Sequence, residues 1–475
     1  MAKRTKIVAT LGPATDRPGV LEAMLRAGAN VVRLNFSHGN AEDRRRRVAA
    51  VREAAHRAGR DIGILGDLQG PKIRVERFAA GPVELVDGDA FALDASLAAD
   101  AGDRHGVGIA YKDLPKDVSP GDILLLNDGA ITLEVERVAG PRVDCRVRVG
   151  GVLSDGKGIN RLGGGLSAGA LTDKDREDIR AAAELGLDFL AVSFPRCAAD
   201  MEEAGRLLLE AGGNALLVAK IERAEAVARI EEIVHASDVV MVARGDLGVE
   251  IGFAEVPGVQ KNIIRVARAM NRVVITATQM MESMISEPIP TRAEVSDVAN
   301  AVLDGTDAVM LSGETAVGRH PVKAVEAMAS ACIAAEKQRA TSISHHRMDD
   351  VFERTDEAIA MATMYTANHL DVKAIVALTE SGSTALWMSR IRSGIPIYAF
   401  SRSEATRRRV ALYRGVYPVS FDVLADGGSE GFAAICHALK DRGLAAAGDR
   451  ILLTHGHSAG VAGGTNTMKI LTVDG

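Results

Sequence analysis

The sequence predicts an α/β protein: a (β/α)8 barrel of the TIM type, a small β-barrel lid domain inserted into one of its loops, and a separate α/β domain at the C-terminus. Three observations carry this. Short apolar runs alternate with longer amphipathic segments eight times before about residue 336. Between the third and fourth units the alternation gives way to short β-like runs, and after residue 336 a second alternation begins. Strand–helix alternation means a parallel sheet covered by helices, and eight units are what a closed barrel needs. An open doubly wound sheet satisfies the alternation equally well; the polar residues at the strand ends favour the barrel.

The barrel strands begin at Lys6-Ile7-Val8-Ala9-Thr10, Val31-Val32-Arg33-Leu34-Asn35 and Ile62-Gly63-Ile64-Leu65. They resume at Asp188-Phe189-Leu190-Ala191-Val192, Leu216-Leu217-Val218-Ala219, Val239-Val240-Met241-Val242, Val273-Val274-Ile275 and Ala308-Val309-Met310-Leu311. Segments such as Arg17 to Ala27 and Thr291 to Asp304 have helical spacing. The insert carries Val83-Glu84-Leu85-Val86, Ile123 to Leu126, Ile131 to Val135 and Val143 to Val149. Turn signals at Asp87-Gly88, Pro120-Gly121 and Asn127-Asp128-Gly129 separate these runs. Beyond a polar linker (Thr341 to Asp350) come a helix at Thr355 to Leu370 and strands near Ala374 to Leu378, Ile397 to Phe400 and Ile451 to Leu453. The domains are therefore placed at 1–69 with 167–336 (barrel), 70–166 (insert) and 337–475 (C-terminal).

At 475 residues, two to four domains are expected. A net charge of −6 gives no electrostatic case for nucleic acid or an anionic membrane, so an anionic substrate needs a local cluster of positive charge. Cys145, Cys197, Cys332 and Cys436 show no CxxC spacing, which argues against a disulfide framework or a zinc site and fits a reducing cytosol. Gly12-Pro13 interrupts the apolar run after the basic start, and no stretch approaches the ~20 apolar residues of a membrane span. A soluble, cytoplasmic protein is expected.

Polar residues recur with period two where the barrel strands end: Arg33, Asn35 and Ser37; Lys220 and Glu222; Arg244 and Asp246; Thr276 and Thr278. Alternate strand residues face one side, so each set is expected to project into one site at the C-terminal rim. Structural salt bridges explain any single pair well but the whole set poorly. Glu222 and Asp246 end neighbouring units and are the candidate ligands of Mg²⁺ (or Mn²⁺), which is usually held by two carboxylates with water and substrate oxygens. Arg33, Lys72, Arg74, Lys220 and Arg244 would then surround an anion beside the metal, the arrangement phosphoryl transfer requires. Gly245 could offer backbone N–H groups to a carboxylate.

These residues lie in long motifs: Thr10-Leu11-Gly12-Pro13-Ala14, Arg33-Leu34-Asn35-Phe36-Ser37-His38-Gly39, Ala219-Lys220-Ile221-Glu222 and Met241-Val242-Ala243-Arg244-Gly245-Asp246-Leu247-Gly248. Others are Ala277 to Met284, Pro290 to Glu294 and Leu311-Ser312-Gly313-Glu314-Thr315-Ala316. Together they resemble the pyruvate kinases, from the first strand to Gly464-Thr465-Asn466-Thr467.

The resemblance implies transfer of a phosphoryl group between phosphoenolpyruvate and ADP, giving pyruvate and ATP. It implies that Lys220 bridges the transferring group, that Arg33 contacts the phosphate, and that Glu222 and Asp246 hold the metal. Arg244, Gly245 and Asp246 would complete the substrate site, and Thr278 would stand where the enolate is protonated through water. His38, Arg74 and Lys157 would contact the nucleotide, making the insert a lid. Homotetramers are usual in the family.

One departure concerns K⁺. Members that require it carry an acidic residue where Lys72 stands and a hydroxyl where Leu68 stands. Lys72 can supply the missing charge, so K⁺ is expected not to be required, although Asn35, Ser37 and Asp67 survive.

In the C-terminal domain Thr379, Ser381, Gly382, Ser383 and Thr384 lie between a strand and a helix, an arrangement suited to an anion. Simple N-capping by Ser383 or Thr384 is the alternative. The family binds an effector phosphate there, and Glu380 favours AMP or a sugar monophosphate over fructose 1,6-bisphosphate. Arg44 to Arg47 and Arg407 to Arg409 read as solvated faces, His455 and His457 as loop histidines, and Gly163-Gly164-Gly165, following no strand, as a hinge. A different Mg²⁺-enolate barrel enzyme would need no nucleotide lid, and a silent sensor would not need Lys220, Glu222, Asp246 and Thr278 together.

Overall fold

The computed structural model describes residues 3–71, 73–342, 351–422, 429–456 and 463–474. Eight parallel strands close into a barrel: Lys6–Thr10, Val31–Asn35, Gly63–Asp67, Phe189–Val192, Leu216–Ile221, Val239–Ala243, Val273–Ala277 and Ala308–Leu311. Each agrees in position with a predicted run.

Side-chain parity divides them cleanly. Val8, Val31, Leu65, Ala191, Val218, Met241, Ile275 and Met310 pack inside the barrel. Their neighbours Ile7, Val32, Ile64, Leu190, Ala219, Val240, Val274 and Val309 face the surrounding helices. This follows from the two-residue period of a strand. The predicted helices are present as Val20–Ala27 and Arg292–Asp304, the second opened by a capping box between Thr291 and Glu294.

The interior cluster continues into the C-terminal domain through Ala360, Met364, Leu412 and Tyr413, so that domain plugs the N-terminal end of the barrel. Asp188, Asp238 and Asp307, each just before a strand, accept the backbone N–H of Ile64, Leu217 and Val274 on the adjacent strand. Two of the three also receive an arginine from the C-terminal domain. Arg408 reaches Asp188 at 2.8 Å, and the fully buried Arg390 pairs with the fully buried Asp307. Arg407 pairs with Asp61 at 3.1 Å, and Arg409 donates to Asn214 O. The Arg407–Arg409 run is therefore an interdomain clamp and not the solvated face expected. Arg44 departs likewise: it is buried between Asp178 and the carbonyl of Phe36.

The insert forms a curled, open six-stranded sheet and not a closed barrel. It runs in the order Ile159–Arg161, Ile123–Leu126, Ile131–Ala139, Arg142–Val149, Ala90–Asp94, Gly106–Gly108. Its two edge strands have three residues each and do not pair with one another; Arg74 and Val75 lie between them, bridging to Gly158 on one side and Ile109 on the other. A second sheet joins Gly151–Leu153 to Val83–Leu85. Asn127 and Asp128 take positive φ in the turn ahead of Gly129, as Asn and Asp tolerate. Gly163 lies two residues beyond the Ile159–Arg161 strand, so the glycine run does follow a strand, but no helix begins there.

The C-terminal sheet has five strands, ordered Val416–Ser420, Ile397–Ser401, Ala374–Leu378, Arg450–Gly456 and Thr465–Thr472, the last antiparallel. His455 belongs to a strand and not to a loop; His457 lies outside the described residues. Among the described residues no helix is long and apolar enough to cross a membrane.

Candidate active site

The inward parity of the barrel carries past its apolar layer to Thr10, Arg33, Asn35, Asp67, Ser193, Lys220 and Glu222 at the C-terminal rim. Arg33 Nε donates to Asp67 at 2.6 Å, and its Nη1 approaches Thr10 Oγ1 at 3.2 Å. Lys220 Nζ lies 2.7 Å from Ser193 Oγ, 2.9 Å from Glu222 and 3.3 Å from Asp67. Ser193 was not singled out in the sequence. Its position two residues past the inward Ala191 was the available signal.

Burial of these charges is tolerable because they are paired. Burial works to raise the Asp67 carboxyl, but Lys220 and Arg33 outweigh it and hold that group below the usual carboxylate range. Burial likewise works to lower Lys220, but Asp67 and Glu222 outweigh it and keep the ammonium charged. Glu222 goes the other way. Burial, with the nearby Asp246 charge adding to it, pushes its carboxyl up to about 7 against the pull of Lys220. The Phe194 N–H, presented from a residue at φ 56°, donates to Glu222 Oε2 at 2.9 Å.

The period-two reading fails at three places, the first being Ser37, which lies exposed in a turn beyond the strand that ends at Asn35. The sixth strand ends at Ala243, and Arg244 opens a helix, Arg244–Ile251, that carries Gly245 and Asp246. On a continued strand the side chains of Arg244 and Asp246 would have faced outward, opposite to the inward Met241; the helical turn brings Asp246 within electrostatic reach of Glu222. Thr276 does face outward, fully buried and bonded to Thr306. Thr278 reaches the rim because it and Gln279 adopt positive φ, 65° and 51°.

Arg244 is committed to that loop: it donates to Ala277 O at 3.1 Å and Thr278 O at 2.7 Å, and pairs with Asp297 at 2.7 Å. The Gly245 N–H donates to Thr278 Oγ1 at 2.8 Å. A Cβ on Gly245 would come no nearer than 3.7 Å to another residue, so the protein itself leaves space at this point.

Among the described residues no three His, Cys, Asp or Glu side chains cluster as a metal site. Glu222 and Asp246 nevertheless fit Mg²⁺, which commonly takes only two protein carboxylates. A divalent cation held by the two would offset the Asp246 repulsion that adds to the effect of burial on Glu222.

Arg74 and Lys157 are brought together. Arg74 Nη1 donates to Gly156 O at 2.5 Å, Arg74 bridges to Gly158, and Val75 N donates to Lys157 O at 2.9 Å. His38 stands exposed after the second strand, its N–H on Asn35 O at 3.2 Å. Asn35 Oδ1 accepts from Ser37 N at 3.0 Å. Leu68 is buried in the main core, and Lys72 lies outside the described residues.

In the C-terminal domain Gly382, at φ 89°, precedes the helix Ser383–Ser389, which no side chain caps; the N-capping alternative is not met. The loop is held instead by Gly382 N on Thr379 Oγ1 (2.8 Å), by Ser381 Oγ with Ser383 Oγ (3.1 Å), and by Thr384 Oγ1 with Thr465 Oγ1 (2.7 Å). Glu380 pairs with Arg402 at 3.5 Å.

A TIM barrel whose C-terminal rim gathers a part-buried lysine, a part-buried arginine and two carboxylates suited to Mg²⁺, overhung by an inserted β domain, defines a metal-assisted phosphotransferase. The family model for the pyruvate kinase barrel domain matches residues 2–325, and that for the pyruvate kinase alpha/beta domain matches 357–471. Pyruvate kinase II of Salmonella typhimurium is 59% identical over 476 residues, covering 99% of each chain. Pyruvate kinase of Haemophilus influenzae is 55% identical over 476 residues, again with 99% of each covered. That of Geobacillus stearothermophilus is 43% identical over 482 residues, covering 99% of this chain and 80% of the relative. The chain belongs to the pyruvate kinase family. Its activity is phosphoryl transfer between phosphoenolpyruvate and ADP, in glycolysis, and the family generally depends on Mg²⁺.

Proposed function

We propose that Lys220 is the residue that stabilises the phosphoryl group in flight. The observation that carries this is its placement, a charged Nζ held by Ser193, Glu222 and Asp67 at the barrel mouth. Arg33, fixed by Asp67, serves the same phosphate from the second strand. Electrostatic stabilisation of this kind is the main demand of phosphoryl transfer.

Glu222 and Asp246 would hold Mg²⁺, which supplies further charge neutralisation when bound. The Asp246 N–H, and the Gly245 N–H once released from the Thr278 hydroxyl, would meet the substrate carboxylate, and Thr278 would stand beside the carbon that is protonated, with Arg244 setting its backbone. Arg74, Lys157 and His38 would hold the nucleotide, with the insert, taken as 70–166, closing over it and excluding water.

The reaction proceeds without K⁺ on this reading. Lys72 and the absence of a hydroxyl at Leu68 support it, as does the double neutralisation of Asp67 by Arg33 and Lys220. Thr379, Ser381, Gly382, Ser383 and Thr384 would take the phosphate of AMP or a sugar monophosphate, and the chain would work as a homotetramer. The Glu380–Arg402 pair softens the repulsion expected of Glu380.

The test is turnover of phosphoenolpyruvate and ADP, coupled to lactate dehydrogenase, with tetramethylammonium or K⁺ as the monovalent cation. Equal rates are expected; strong stimulation by K⁺ overturns the K⁺-independent reading.

A further inference from the structure

The segment by which the insert returns to the barrel, residues 163–168, is gripped from the barrel side at successive points. The Gly163 N–H donates to Glu250 O at 2.8 Å, and the Gly165 N–H donates to Glu225. Arg196 Nη1 donates to Ser167 O at 2.9 Å. Arg223 Nη1 is shared between Leu166 O at 3.2 Å and Ala168 O at 3.4 Å.

Arg223 differs from the other grips in where it is rooted. It is the residue after Glu222, at the end of the fifth strand, and is only 4% exposed. Its Cζ lies 5.8 Å from the centre of the Phe194 ring, and Phe194 is the residue whose N–H holds Glu222. It also lines a pocket between insert and barrel with Asp246, Glu250 and Asn160. Glu250, buried on the helix that carries Asp246, lines the same pocket and accepts the Ala224 N–H at 3.0 Å, and burial pushes its carboxyl up to about 7. Among the described residues, buried Arg223 Nε has no hydrogen-bond partner, so pairing at that nitrogen does not explain the guanidinium's position. The contacts that fix it are the two carbonyls of the return segment and the ring of Phe194.

We infer that Arg223 is a positioning residue of the phosphoryl transfer: it fastens the return segment of the insert to the strand end that carries Glu222, so that the nucleotide-bearing domain and the metal carboxylate are placed together. The inference rests on the reading of the insert as the nucleotide lid. A planar guanidinium suits this task because it can donate to the two carbonyls while its flat face packs against a ring; a lysine ammonium has no such face. Loosening the clamp would therefore be felt on both sides, as weaker use of ADP and weaker hold on the metal. A purely local staple would loosen only the segment itself.

The experiment compares the wild-type full chain with Arg223→Met and Arg223→Lys, with Lys157→Met as a separate control of the lid reading. Amide exchange over 163–168, KM for ADP, and direct Mn²⁺ binding by electron paramagnetic resonance are measured, with a cooperative thermal transition establishing folding. Arg223→Met is expected to speed exchange, raise KM for ADP and weaken Mn²⁺ binding, each by about tenfold, the worth of one charged hydrogen bond. Arg223→Lys should recover part of all three. Faster exchange with ADP and Mn²⁺ unaltered reduces Arg223 to a local staple and overturns the inference, as does unaltered exchange. If Arg223→Met unfolds the chain, the lysine variant alone decides on the same three readings. If Lys157→Met leaves KM for ADP unaltered, the lid reading fails on its own account, while exchange and Mn²⁺ affinity still judge the clamp.

Discussion

Arg244 and Thr278 are joined by a 2.7 Å hydrogen bond from the guanidinium to the threonine carbonyl, across the mouth between the sixth and seventh strands. The bond holds a backbone turn at φ 65° that a β-branched residue does not adopt without support. Together with the Gly245 N–H on the Thr278 hydroxyl, it ties this side chain to the first turn of the helix bearing Asp246.

Replacing Arg244 with Met should therefore act on the chemical step. The charged hydrogen bonds to Ala277 O and Thr278 O are worth about 1.5–3 kcal/mol each, and kcat should fall by about 10- to 100-fold. Steady-state kinetics with saturating phosphoenolpyruvate check this. An unaltered kcat would mean that Thr278 keeps its place without help.

The raised Glu222 carboxyl makes metal affinity depend on pH. A group lifted to about 7 is protonated below that value, and a protonated carboxyl does not ligate a metal. Mn²⁺ binding to the substrate-free protein should strengthen by about fivefold from pH 6 to pH 7, by about twofold more to pH 8, and level off above. In Glu222→Gln the affinity should be lower and the slope gone. A flat profile in the wild type would show that Glu222 is ionised throughout.

The Arg390–Asp307 pair is wholly buried between the C-terminal domain and the barrel floor. Arg390→Leu leaves Asp307 charged and without its guanidinium partner, which costs about 3–5 kcal/mol. The urea midpoint should drop accordingly. A shift near zero would mean that water or a neighbouring arginine takes over the aspartate.

How much of this was legible in the sequence depends on which physical rule placed each residue. Apolar periodicity located all eight barrel strands, because each strand is buried on both faces. The same period put Arg33, Asn35, Lys220 and Glu222 on the inner side correctly. It misled at Asp246 and Thr278, where a helix start at Arg244 and two left-handed residues replace the strand. Neither event has a signal in hydrophobic patterning. The edge strands Val416–Ser420 and Thr465–Thr472 went unrecognised because the first carries Pro418 and the second is mostly polar. The Arg407–Arg409 run looked solvated because its partners, Asp61, Asp188 and Asn214, are far away in sequence.

Everything proposed for the reaction turns on one ammonium group at the barrel mouth. The most direct measurement is the phosphoenolpyruvate–ADP turnover of Lys220→Met, made alongside its Mn²⁺ affinity and unfolding midpoint. With the charge gone, turnover should fall by at least about a thousandfold while the protein stays folded and still binds Mn²⁺. Turnover within about threefold of wild type, less than 1 kcal/mol of barrier, would contradict the account.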